Sequence, residues 1–102
     1  MAVGAPPPEA FEREHGFTEA DWLRTLPGAV RDHRLTLPAP GAATVAVGAG
    51  ALHLSWTVLP PRQIALLRAP RLAVRYRFEG VDDEARVAFM RYFDLYLHRG
   101  GG

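Results

Sequence analysis

The 102-residue chain is 48% hydrophobic and 23% charged, with a formal net charge of +1. That length and mix suit one domain with its own core, and they exclude a disordered chain or a collagen-like fibre. With no Cys the chain also lacks disulfides, a thiolate nucleophile and cysteine metal sites.

Residues 1–10 (MAVGAPPPEA) are rich in Pro, Ala and Gly and predict a flexible arm, because three consecutive prolines join neither a helix interior nor a sheet ladder. The single domain is expected over residues 11–102. Glu9 to His15 predicts a turn of helix before Gly16. Thr18, with Asp21 three residues on, marks an N-cap. A short helix follows, with Trp22, Leu23 and Leu26 as its apolar side, and Pro27-Gly28 is expected to end it.

Strands come next. Arg34 to Leu37 alternates and is expected to stop at Pro38, and Thr44 to Val47 forms a second run. Gly48-Ala49-Gly50 has hairpin length. Leu52, Leu54, Trp56 and Val58 alternate with His53, Ser55 and Thr57, the period of a half-buried strand. Pro60-Pro61 is expected to terminate it, with Gln63 to Leu67 as a separate short strand ended by Ala69-Pro70. Leu72, Val74, Tyr76 and Phe78 alternate with Ala73, Arg75 and Arg77. Gly80 closes the sheet. Asp82 is an N-cap for a helix of about 17 residues, with Phe89, Met90, Phe93, Tyr96 and Leu97 on one stripe at spacings of three and four. The fold class is therefore α+β: an antiparallel meander of four to five strands, packed by a C-terminal helix and accompanied by a short N-terminal helix.

All 12 basic side chains are Arg, and Lys and Asn are absent, a bias expected of a GC-rich, bacterial genome. Arg62 to Arg77 holds five Arg and no acid. Arg71, Arg75 and Arg77 share one face of their strand with a neighbouring His53 on the next, which makes this row the candidate anion-binding site, because a guanidinium offers paired donors to carboxylate or phosphate. The same face has a floor of small residues, Ala46, Ser55, Thr57, Ala65 and Ala73, that suits a second layer. Nucleic acid is not the expected ligand, since the strand aromatics lie on the opposite, apolar face. The last helix has a second apolar flank, Ala88, Tyr92 and Leu95, the candidate interface of a homodimer; an unidentified protein partner is the other expectation.

No catalytic residue is assigned. Ser55 is the only Ser and stands in no nucleophile elbow, and no Lys is available for a phosphate loop. No metal site or cofactor is expected. The tail His98-Arg99-Gly100-Gly101 resembles the Gly-Gly ends of ubiquitin-like modifiers and small sulfur carriers over those residues alone; in those families a β-grasp strand precedes the tail, and here a helix does. No run of apolar residues is long enough to span a membrane, and no signal peptide is read at the N-terminus, so a cytoplasmic location is expected. The sequence supports a small non-catalytic binding or scaffold domain that self-associates, with anion or nucleic-acid binding through the Arg row as the alternative.

Overall fold

The computed structural model describes residues 5–100, with side chains through His98. Its elements run β1 (Ala10–His15), α1 (Glu19–Ala29), β2 (Leu35–Ala39), β3 (Ala42–Val47), β4 (Gly50–Ile64), β5 (Leu67–Glu79) and α2 (Asp83–Gly100). All strand pairs are antiparallel, in the order β1-β5-β4-β3-β2. Strands β2 to β5 form the expected meander, and β1 adds to its far edge. Both helices lie on one face, where Trp22, Leu26, Phe89 and Phe93 pack on Leu52, Leu54, Trp56, Leu72, Val74, Tyr76 and Phe78. Phe93 has no exposed surface, and its ring sits 5.6 to 6.3 Å from those of Phe89, Tyr76 and Trp22. Among the described residues no element covers the other sheet face.

Local chemistry sets the ends of the elements. Thr18 caps α1 by accepting from the Asp21 N–H at 3.0 Å, and Asp82 caps α2 by accepting from Ala85 N–H at 2.8 Å. Pro40-Gly41 turns β2 into β3, with Gly41 at φ +75°, a conformation open to glycine at little steric cost. Gly50 admits no side chain at all: a Cβ there would run into the carbonyls of Glu79 and Gly80.

Four expectations are corrected. Glu9 to His15 makes no helical turn; residues 10–15 are an edge strand paired with β5 from Ala10↔Arg77 to His15↔Leu72. Helix α1 does not stop at Pro27-Gly28 but includes both and ends at Ala29: Pro27 removes one N–H and crowds the carbonyl four residues back, yet the last turn still closes through Val30 N–H to Leu26 carbonyl at 3.0 Å. Strand β2 likewise runs through Pro38 to Ala39, where it is the sheet edge and needs no donor. The largest change is the hairpin. Pro60-Pro61 does not terminate β4, and Gln63 to Leu67 is not a separate strand. Residues 50–64 and 67–79 are one long hairpin, with a register shift between Leu59 and Arg62 that takes in the two prolines. Its outer part extends past β1 and β3, so Pro60, Pro61 and Pro70 lie where no further strand pairs.

Of the expected arm, residues 1–4 lie outside the described residues, as do Gly101 and Gly102 of the tail. The rest of the segment is bonded to the body. Glu9 carbonyl accepts from Phe78 N–H at 2.6 Å. Pro7 carbonyl accepts from Arg86 Nε at 2.8 Å, and the same buried guanidinium donates to Val81 carbonyl at 2.7 Å and to Asp83. Arg86 thus fastens the entering chain to the start of α2, with its buried charge met by three oxygen partners.

Candidate functional site

Three regions bring chemistry-bearing side chains together. The first is the open sheet face, where the register places Thr44, Ala46, Ala51, His53, Ser55, Thr57, Leu59, Ala73 and the Arg row side by side. The Arg row is present as expected, but β1 brings carboxylates to it. Arg75 donates to Glu12 at 2.7 and 3.1 Å, and Arg71 forks onto Glu14 at 2.9 and 3.0 Å. Arg62 approaches Glu14 at 3.5 Å, and His53 bonds Glu79 at 2.8 Å. The Arg71 hydrogen bond holds the Glu14 carboxyl below its ordinary range and raises the guanidinium in return. The His53 bond does the same for Glu79, helped by the field of Arg77. Arg71 and Arg75 are rungs of a cross-strand ladder of ion pairs, whereas Arg77 forms no ion pair among the described residues. Between the rungs lie two shallow hollows over the small side chains, one floored by Ser55, Thr57 and Ala73, the other by Ala42, Thr44 and Ser55.

The second region is the α2 flank. Ala88 and Leu95 are exposed there, and Tyr92 is half-buried. Helix α1 reaches this side. Arg31 lays its guanidinium over the Tyr92 ring at 4.3 Å, and Tyr96 stands against Gly28 so closely that a Cβ at residue 28 would enter its ring.

The third region was not read from the sequence. It lies where β1 meets β5 and α2. His15 Nε2 is 2.8 Å from Tyr76 Oη, and Arg13 forks onto Asp94 at 2.5 and 3.3 Å. The Arg13 guanidinium also covers the rings of Phe11 and Tyr76, 5.1 and 5.5 Å from their centres. Burial pushes the Tyr76 hydroxyl well above its ordinary range. Burial, then the Arg13 charge, lowers the His15 imidazole. A neutral imidazole thus meets a protonated phenol, and the two share one hydrogen across the contact. A hollow lined by Glu14, Phe17, Leu97 and His98 opens beside the pair. Tyr76 has no exposed surface, so no substrate reaches its hydroxyl; the geometry ties β1 to the core. Asp94 is turned to Arg13, not to His98. Among the described residues no three His, Asp or Glu side chains are grouped to hold a metal ion.

Two signals in the sequence point to this arrangement. Phe11, Arg13 and His15 alternate with Glu12 and Glu14, and the Glu positions match the spacing of an Arg-bearing strand. No helix of the described residues is long and apolar enough to cross a membrane. No family model, curated protein or solved structure matches the chain, so the meaning of these surfaces rests on their own side chains.

Proposed function

We propose that this chain is a small, non-catalytic, cytoplasmic interaction domain whose open sheet face pairs with a second copy of itself. The observation that carries the reading is the uncovered face together with the overhanging hairpin. Ile64, Leu66 and Leu67 at its end are 54%, 96% and 71% exposed, and the register puts Ile64 and Leu67 opposite each other on the side of Leu59. Apolar side chains grouped this way mark interaction surfaces. The face is built for a protein rather than a polyanion. Arg62, Arg71 and Arg75 already hold carboxylates, so a polyanion would have to displace these, whereas a two-fold copy presents matching Glu and Arg to exchange.

Size supports the need for both parts. Five strands about 4.8 Å apart and six residues long give a face of roughly 500 Å², short of the ~800 Å² per partner of a standard interface. The overhang supplies the remainder. Sedimentation equilibrium tests the reading: the mass should rise to twice 11.2 kDa at micromolar concentration, and Thr57→Glu with Leu67→Glu should return it to the monomer without unfolding it. A wild-type mass that stays at 11.2 kDa at high micromolar concentration rejects it. Salt-resistant retention on heparin, lost in the Arg75→Ala/Arg77→Ala variant, would favour the anion-binding alternative.

A further inference from the structure

A pocket of about 270 Å³ lies on the helical side, at the end of the sheet. It is walled by Val47 from β3, by Ala88, Phe89 and Tyr92 from α2, and by Arg31 and His33 from the segment after α1. The walls are mostly apolar, and no carboxylate lines them. A pocket of this size fits only a small ligand.

Arg31 is the unusual feature. It ends α1 at φ +57°, the left-handed position where helices ordinarily carry glycine. A chain with 10 Gly keeps a long charged side chain at this point. Strain of this kind in an observed backbone points towards function. The side chain is also committed in an open way. Its guanidinium lies over the Tyr92 ring and, among the described residues, forms no ion pair with a carboxylate, unlike Arg13, Arg71, Arg75 and Arg86. The in-plane N–H donors of a stacked guanidinium remain available to an anion. Beside it, the His33 ring is fixed: Nδ1 is 2.9 Å from Ala46 carbonyl, and the ring stands edge-on to Phe89 with centres 5.2 Å apart. A carbonyl only accepts, so Nδ1 carries the hydrogen and the ring is held as a wall.

We propose that this pocket binds a small apolar carboxylate, its body against Val47, Ala88 and Phe89 and its carboxylate on the Arg31 fork. One guanidinium matches one carboxylate in a bidentate pair. A phosphate dianion would call for more positive charge than this single fork supplies. Few convergent polar groups over an apolar floor is the usual make-up of a small-ligand site. The site lies on the helical side of the sheet, away from the proposed pairing face, and stands without it.

The test uses the full chain, labelled with 15N, titrated with phenylacetate and with its neutral counterpart phenylacetamide. Phenylacetate should move the amides of Arg31, Gly48 and Ala88 with a Kd of about 1 mM or tighter, and phenylacetamide should bind at least about tenfold more weakly. Arg31→Gly relaxes the backbone and so keeps the fold, and it should remove the difference between the two probes. Ala88→Leu, at an exposed helical position, should fill the mouth and abolish both responses. Three results overturn the proposal: no response of these amides to 10 mM phenylacetate (about tenfold above the expected Kd), equal binding of acid and amide, or an unchanged preference in Arg31→Gly.

Discussion

Replacing Tyr76 by Phe removes one atom from the interior and one hydrogen bond, the 2.8 Å contact with His15 Nε2. The ring itself stays in place between Phe11 and Phe93, so apolar packing is nearly unchanged. The loss is a neutral hydrogen bond whose imidazole partner is half-buried, worth about 1 kcal/mol, or a fall in Tm of roughly 4–8 °C for a domain of this size. The same pair makes stability depend on pH in a stated direction. Burial lowers the His15 imidazole in the folded chain, while the unfolded chain keeps a value near 6.5. As pH falls below about 6.5 the unfolded state therefore takes up the proton first, and stability declines, by at most about 1.4 kcal/mol per pH unit, until the folded value is passed. His15→Gln keeps an acceptor for the hydroxyl but does not titrate, so it should flatten this segment of the curve. Urea unfolding followed by fluorescence of Trp22 and Trp56 between pH 7.5 and about 5.5, above the carboxylate range, measures both effects. A Tyr76→Phe protein as stable as the parent, together with the same pH slope in His15→Gln, would refute the latch.

Phe93→Ala should cost about 3–5 kcal/mol, the range for a buried aromatic truncated to a methyl, read from the shift of the urea midpoint at constant slope. Below about pH 4.5 a further loss of stability is expected, because the Glu14 and Glu79 carboxyls are held low by Arg71 and His53 and the unfolded chain protonates before the folded one; raised salt should shrink this loss. Gly50→Ala should prevent folding at ordinary temperature, since its Cβ meets fixed backbone, as circular dichroism will report. Gly28→Ala should cost about 1–3 kcal/mol by overpacking, and adding Tyr96→Ala should recover part of it in a double-mutant cycle. Truncation before Pro7 should leave stability unchanged, whereas truncation through Glu9 strips Arg86 of an acceptor and should cost about 1–3 kcal/mol.

The alternation of Leu52 to Val58 and of Leu72 to Phe78 was enough to place the sheet, its apolar face and the helix stripe that covers it. The hairpin's length was not legible, because Pro60-Pro61 reads as a stop wherever a strand is assumed to have neighbours on both sides. The sequence does not show that the neighbours end first. Strand β1 was missed for a related reason: Phe11 is the only apolar residue on its inner side, and Arg13 and His15 become interior groups only through Asp94 and Tyr76, 81 and 61 residues away in the chain. The Arg row was legible as positions but not as charge, since the Glu12 and Glu14 that pair with Arg75 and Arg71 arrive on that unread strand. Arg31 carried no signal at all, because a positive φ is a property of the closed turn and not of the residue type.

The prolines of the hairpin overhang also bear on what form an assembly takes. Pro60, Pro61 and Pro70 offer no N–H along the two bare rims of the hairpin, so another strand laid there would find a broken row of donors. Growth by strand upon strand, the route to fibrils, is discouraged at the point where the chain is greasiest. What stays available is the flat of the hairpin, and a surface that meets its own copy across a two-fold axis uses itself up in one step. Replacing these prolines with threonines would open the rims, and the chain would then be expected to aggregate strand upon strand.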